Sequence, residues 1–423
     1  MSSTQSAQDV VVIGGGIVGV STALQLQRSG RSVTIVERGT PGDEASGHNG
    51  GMFSDDCLPT QMPDTITGLP HLLRDPESPL VLRFRDMPML APWLIRFALN
   101  SRPSRARKIS ADLYSLMSRG FDAYRPLIKG TAAESVIRNS GNLYAYRSRR
   151  ALNLDSFPMQ LRRQNGVTYE VVDDSAMAKI SPLFAGKFEI GLFFPKTHWT
   201  TDPRAFTQTL LADFVAKGGR VQTTAATGFD TANGRVTRVR TSDGGITAAS
   251  FVIAAGPWSR RLLRHLGSDV PLSVERGYGA DLPDPGLKFD QPVILADVHS
   301  AITPHRNGGV RLAGYDELAS IDAPANLSLP KRLVRSAKKV YPELRDAGAT
   351  FWMRRRPSTP DSLPVIDRAP RFENTYLAFG HGHKGLCMGA ITGQLVRELM
   401  DGAPPAVDVT PFRLTRFHTF AGL

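Results

Sequence analysis

The run DVVVIGGGIVGVSTALQLQRSGRSVTIVERG, residues 9–39, constrains this chain more than any other stretch. Residues 9–13 are almost continuously apolar, the pattern of a parallel strand buried on both faces. Gly14, Gly15 and Gly16 break the strand, and helical spacing of apolar residues then holds over 17–29, with Gly30 placed to end the helix. A second buried strand follows over 32–39. The three elements make one strand–helix–strand unit. Gly14, Gly16 and Gly19 form G-x-G-x-x-G at its turn. The first glycine permits the tight turn, the second lets a pyrophosphate approach the backbone, and the third lets helix and strand pack closely. The phosphates would rest on the helix N-terminus, at Ile17 and Val18. Glu37 closes the second strand, 18 residues after Gly19, with Arg38 beside it. A carboxylate there can accept hydrogen bonds from a ribose. The unit implies a bound dinucleotide.

At 423 residues the chain exceeds one compact core and implies two domains or three. A hydrophobic content of 41% and a charged content of 21% are ordinary for a globular protein. No apolar run reaches the roughly 18 residues that span a bilayer. The start, MSSTQSAQDVVVIGGG, lacks the regions of a secretory signal, so the expected location is the cytoplasm. Cys57 and Cys387 are the only cysteines, too few for a disulfide framework or a cysteine metal site. The net charge of +12 favours anionic surfaces, but no nucleic-acid motif accompanies it.

Regular alternation stops after residue 40, and glycines and prolines dominate to about residue 80. Residues 81–130 read as short helices punctuated by Pro88, Pro92, Pro103 and Pro126, with Arg83, Arg85, Arg96, Arg102, Arg105, Arg107 and Lys108 outweighing the acids. Asp202-Pro203 is a good cap and first turn for a helix carrying Phe206, Leu210, Leu211, Phe214 and Val215 on one stripe. Asn233-Gly234 is the strongest short hairpin signal in the chain. Strand–helix units at both ends enclose strand-rich material. The expected organisation is a discontinuous nucleotide domain over 1–80, 196–270 and 355–423, with a second domain inserted as 81–195 and 271–354.

The segments VVIGGGIVGVSTALQLQRSG, IVERG, EASGHNGGMFS, FVIAAGPWS, RPSTPDSLPVI and YLAFGHGHKGL follow the order and spacing of the D-amino-acid-oxidase-like flavoproteins. That family includes glycine oxidase, sarcosine oxidase and bacterial D-amino acid dehydrogenase, and the chain most resembles the dehydrogenase branch. The resemblance implies an α/β fold: a Rossmann-type FAD-binding domain and an antiparallel-sheet substrate domain roofing the flavin. It also implies oxidation of a D-amino acid, or of a cyclic or secondary α-amino acid, to the imino acid by hydride transfer to flavin N5. An N-methyl amine or opine oxidase, a flavoprotein subunit of a heteromeric dehydrogenase and a membrane-surface protein are the alternatives. O2 and a quinone are both open as electron acceptors, as are oligomeric state and contact with the inner face of a membrane through 89–99.

Within this frame Ser46, Gly47, His48, Asn49, Gly50 and Gly51 offer small residues and backbone N–H groups to a flat ring. A histidine in a similar slot carries covalent flavin in some relatives. Others have arginine there and bind FAD noncovalently, which is the expectation for this chain. Gly256 belongs to the third glycine turn. The loop through Gly382, His383 and Gly385 opens a helix whose N-terminus can stabilise charge on a reduced flavin. Arg356-Pro357 matches the arginine that grips the substrate carboxylate in glycine oxidase, where a guanidinium fork sets orientation as a lysine cannot. Arg354 and Arg355 depart from the dehydrogenase pattern. Glycine oxidase also uses a tyrosine where this chain has Ala301, so Tyr278 and His299 are the candidates for that role. No metal site is expected.

Overall fold

The computed structural model describes residues 8–68, 75 and 78–420, so the reading of the first seven residues lies outside it. The first sheet is built on strand Gln8–Ile13, which pairs in parallel with Val33–Glu37 on one side and Gly244–Ile253 on the other. Arg220–Thr223 extends it beyond Val33–Glu37, and Thr375–Phe379 joins beyond residues 251–253, both in parallel. Val10, Val11, Val12 and Ile13 are all buried, which is why this strand reads as a continuous apolar run. Asn233 and Gly234 both have positive φ, +50° and +70°, and close the hairpin between Ala226–Ala232 and Arg235–Thr241.

Helix Ile17–Arg28 packs against Gly385–Asp401 through small residues. A β-carbon on Gly393 would lie 2.9 Å from the backbone of Ser21. Helix Pro103–Ile128 approaches the same element where Gly120 faces the Cys387 carbonyl. The expectation of short helices over 81–130 is corrected here. Pro103 occupies the first turn of a 26-residue helix, where its missing N–H has no helical partner, whereas Pro126 lies inside the last turn and forfeits one bond without ending the helix. Asp202 caps helix Pro203–Ala216 by accepting from the N–H groups of Arg204 and Ala205. Phe206, Leu210 and Phe214 are buried on it, Leu211 partly so, but Val215 is exposed.

The second sheet has nine strands, in the order Thr350–Ser358, Ser273–Leu282, Val310–Leu318, Ser300–Pro304, Val293–Leu295, Asn142–Tyr146, Ile190–Phe194 and Glu170–Asp173, with Leu80–Leu82 branching from Val310–Leu318. Its pairing is antiparallel except at two places: Val293–Leu295 with Asn142–Tyr146, and Leu80–Leu82 with Val310–Leu318. Strand Thr350–Ser358 pairs with Ser273–Leu282 along its whole length, so the sheet runs through the expected boundary at 354/355. A three-stranded sheet of Met52–Phe53, His198–Thr200 and Ile137–Arg138 links the glycine-rich segment to the rest. Inside, Arg162 grips Asp56 with two bonds of 3.1 and 2.8 Å, both side chains being almost fully buried.

Candidate active site

The turn after the first strand shows why glycine is needed there. Gly14 has φ +117°, and a β-carbon on it would lie 2.3 Å from the Ala254 carbonyl oxygen. A β-carbon on Gly19 would lie 1.9 Å from the Gly14 oxygen. Gly16 begins the helix without a side-chain cap, leaving N–H groups at a helix N-terminus for a ligand. The Ile17 N–H donates to Ser46 Oγ at 2.9 Å. Glu37 accepts from the Gly15 N–H at 2.6 Å and from the Gly39 N–H at 3.1 Å, which fixes its carboxylate beside the loop. Arg38 lies flat over Trp258, its guanidinium carbon 3.4 Å from the ring centre.

These residues line a cavity of about 510 Å³ running from Glu37 and Arg38, past Gly14, Gly16, Ile17 and Val18, to Ser46, His48 and Asn49. Gly256, Arg355, Arg356, Gly382, His383 and Gly385 complete its walls. An uncapped helix N-terminus, a carboxylate at one end and small residues at the other fit a dinucleotide carrying a flat ring. Gly15 and Gly19 lie behind the wall, where they shape the loop.

The segment 45–51 is tied to the second sheet. The Gly47 carbonyl accepts from Arg311 Nη1 at 2.9 Å, and Arg311 is itself held by a two-bond pair with Asp281 at 2.7 and 2.9 Å. Thr303 Oγ1 donates to the Gly50 carbonyl at 2.9 Å, and the Gly51 carbonyl accepts from the Thr200 N–H at 2.7 Å. Asn49 Oδ1 accepts from the Gly51 N–H at 2.8 Å. His48 has both ring nitrogens engaged: Nδ1 donates to the Asp43 carbonyl at 3.0 Å, and Nε2 accepts from Arg354 Nη2 at 3.3 Å. Burial, with the Arg354 and Arg311 charges behind it, lowers the His48 pKa to about 4 and keeps the ring neutral.

The three adjacent arginines separate into two roles. Arg354 donates from Nε to the Asp43 carbonyl at 2.8 Å as well as to His48. Arg355 donates to the Ile321 carbonyl at 2.8 Å and faces Glu44 at 3.7 Å. Both therefore strap the second sheet to the 43–48 segment. Arg356 lies over Gly277 and pairs with Asp316, which also faces His383 Nε2 at 3.3 Å. His383 Nδ1 stands 3.2 Å from Glu275 Oε2. Burial pushes the Glu275 carboxyl up, while His383 opposes it. For Asp316, desolvation acts in the same upward sense, but the Arg356 and His383 charges outweigh it and hold the group well below the usual carboxylate range.

Tyr278 and His299 do not reach this cavity, and Gly47, Gly50 and Gly51, like Gly15 and Gly19, are not in its wall. Tyr278 is fully buried on the opposite face, donating to Glu317 Oε2 at 2.6 Å and accepting from the Asn326 N–H at 3.0 Å. An irregular register between Gly277 and Tyr278 accompanies this, and Arg276 pairs with the same Glu317 at 2.8 Å. His299 sits in a left-handed turn, φ +49°, ahead of strand Ser300–Pro304, exposed and away from the cavity walls. Sequence reasoning missed Asp316, Glu275 and Arg311, and placed His381 only in the loop before the helix, where the structure buries it. His381 accepts from or donates to Thr392 Oγ1 at 2.9 Å, and burial lowers its pKa to about 3. His381 and His383 face different partners, and no cluster among the described residues could hold a metal ion.

A glycine-turn nucleotide cradle, roofed by a second sheet that presents an arginine at the far end, defines a dinucleotide-dependent redox enzyme as a class. The family model "FAD dependent oxidoreductase" matches residues 9–399, and the chain belongs to that family. It is 30% identical over 416 residues to a D-amino-acid oxidase of Bradyrhizobium diazoefficiens, covering 96% of this chain and 98% of that one. It is also 30% identical over 423 residues to a D-amino acid dehydrogenase of the same organism, covering 97% and 99%. The fold is similar to that of glycine oxidase from Geobacillus kaustophilus, with a TM-score of 0.72, 19% identity and coverage of 97% and 99%. The cofactor of this oxidoreductase is FAD.

Proposed function

We propose that this enzyme oxidises an α-amino acid, a D-amino acid or a cyclic or secondary one, to the imino acid, which water then hydrolyses. The observation that carries the reading is Arg356 in the wall of the same cavity as the glycine turn, Ser46, His48, Asn49 and the 382–385 turn. The names of the relatives, D-amino-acid oxidase and D-amino acid dehydrogenase, support the same class of donor. When bound, FAD supplies the two-electron acceptor. The chain's own contribution is orientation: Arg356 would fix the substrate carboxylate through a two-bond fork, which sets the angle of Cα toward the ring. Arg354 and Arg355 would hold the roof at a fixed height above the 43–48 segment. Gly14, Gly16, Ile17 and Val18 would receive the pyrophosphate, and Glu37 the ribose. FAD would be held noncovalently, because both nitrogens of His48 are already bonded. The two sheets would divide the work as an FAD domain and a substrate domain.

Helix Met87–Asn100 supports a second, compatible reading, contact with an anionic membrane surface. Its inner face buries Leu90 and Trp93, whereas Met89 and Ile95 are exposed on it and Phe84 just before it, at 61%, 62% and 74%. Arg85, Arg102 and Arg105, before and after the helix in sequence, are exposed as well. No helix among the described residues is long and apolar enough to cross a membrane.

The test is spectroscopic. Under anaerobic conditions the bound flavin should bleach on addition of one member of a panel of D-, L- and cyclic amino acids. A flavin-replete enzyme that no α-amino acid bleaches, but an amine without a carboxylate does, would remove the reading.

A further inference from the structure

Arg356, the proposed carboxylate anchor, already has a carboxylate partner within the chain. Glu275 and Gly277 lie opposite Arg356 and Arg354 in strand Ser273–Leu282, and Gly277 lies opposite Asp316 in strand Val310–Leu318. Gly277 has no side chain, and the Arg356 guanidinium fills that space: a β-carbon at 277 would stand 2.3 Å from its central carbon. Across the gap the guanidinium meets Asp316 Oδ1. The Asp316 side chain is 38% exposed, whereas that of Glu275 behind it is 5% exposed. Asp316 is not itself in the cavity wall, but Arg356 and His383, which are, both bond it, and of the two acids it is the one with exposed surface.

A substrate carboxylate entering the Arg356 fork would come beside the Asp316 carboxylate, and two like charges at such range oppose each other. A plain carboxylic acid has nothing to offset this. An α-amino acid has, because its ammonium sits one carbon away from its carboxylate. We propose that Asp316 and Arg356 form a clamp for a zwitterion, the substrate entering the ion pair so that its carboxylate binds Arg356 and its ammonium binds Asp316. The existing pair is then exchanged for two new ones, and the net charge of the site is unchanged. His383, 3.3 Å from Asp316, holds that carboxylate toward the site. Asp316 so acts as a specificity determinant that selects amino acids over carboxylates of equal shape, and it rests on Arg356 being the carboxylate anchor.

Two ligands that differ only in the ammonium group test this, neither with a reactive Cα–H arrangement for oxidation to an imine: 2-aminoisobutyrate and isobutyrate. Their dissociation constants are read from perturbation of the bound flavin's absorbance in the holoenzyme. The wild type should prefer the amino acid. Asp316→Asn should weaken 2-aminoisobutyrate at least about tenfold, the effect of one ion pair worth about 1.4 kcal/mol, and tighten isobutyrate by removing its competitor. Asp316→Ser serves as a second variant, and both are compared at equal flavin content. Parallel changes for the two ligands in flavin-replete variants would overturn the clamp. Arg356→Ala separates the two claims: loss of both ligands keeps Arg356 as anchor, and unchanged binding of both would overturn the anchor and the clamp together.

Discussion

Substituting Gly19 and Gly16 in turn distinguishes the folding role of the glycine turn from its ligand role. In Gly19→Ala the new methyl carbon would stand 1.9 Å from the Gly14 oxygen and 3.0 Å from its carbonyl carbon. A tolerable C···O contact is about 3.3 Å, so helix Ile17–Arg28 must move away from the first strand by more than 1 Å. Both obstructing atoms are backbone and cannot rotate aside. Overpacking of this kind costs about 1–3 kcal/mol, which lowers the ratio of folded to unfolded chain by about 5- to 150-fold. Gly16→Ala is different. Its φ of −74° and ψ of 174° suit alanine, and the atom closest to the new methyl is the Ser46 hydroxyl at 3.1 Å, which has to give by only a few tenths of an ångström. That methyl nevertheless enters the wall of the cavity at the helix N-terminus. The apoprotein of Gly16→Ala should unfold in urea within about 0.5 kcal/mol of wild type, yet bind FAD about tenfold or more weakly, a loss of 1.4 kcal/mol. Gly19→Ala should lose apoprotein stability first. Urea unfolding of apoprotein and fluorescence titration with FAD give the two numbers. If Gly19→Ala apoprotein matches wild type, or Gly16→Ala holds FAD as tightly, the division of roles is wrong.

Arg356→Ala should lower kcat/KM for the amino acid that bleaches the flavin by about 30- to several thousand-fold, since truncating one partner of a buried charge pair costs about 2–5 kcal/mol; Arg356→Lys should recover only part. Asp56→Ala strands the buried Arg162 guanidinium and should cost about 3–5 kcal/mol of stability, measured by urea unfolding, with Arg162→Met in the same background restoring some of it. His48 stays neutral in the fold down to about pH 4, whereas unfolded histidine takes up its proton near pH 6.5. The unfolded chain therefore binds more protons in that window and stability falls as pH drops through it; His48→Gln should lose less between pH 6.5 and pH 4. Ile95→Glu should abolish co-sedimentation with phosphatidylglycerol vesicles while leaving turnover in solution unchanged, and equal sedimentation would refute the membrane reading.

The parts legible in the sequence were those where local chemistry and the fold make the same demand. Residues 9–37 announce themselves because a doubly buried strand needs a continuous apolar run and its turn tolerates only glycine. Asn233-Gly234 and Asp202-Pro203 are equally local. Pro103 and Pro126 misled because a proline marks either the inside edge of a helix or a break, and only the partner helices decide between them. Of the arginine trio, the sequence assigns a role only to Arg356, through its resemblance to a known motif, and that role is the one proposed above. The jobs of Arg354 and Arg355 depend on Asp43, Glu44, His48 and Ile321, far away in the chain. Asp316 and Glu275 look like ordinary acids in their strands, and nothing nearby in sequence says that His383, far along the chain, stands between them. Tyr278 was assigned to the wrong face because alternation does not say which face is the roof.

The walls of the cavity come from residues 13–49, 224–262 and 355–386, so its first and last contributors lie at opposite ends of the polypeptide. Strand Thr375–Phe379 supplies a neighbour to Gly244–Ile253, and helix Gly385–Asp401 closes over Ile17–Arg28. During synthesis the glycine turn leaves the ribosome early, yet it waits for nearly the entire chain before its lid arrives. Flavin loading therefore has to follow synthesis of the 378–386 wall, and a nascent chain stalled before residue 375 should emerge colourless.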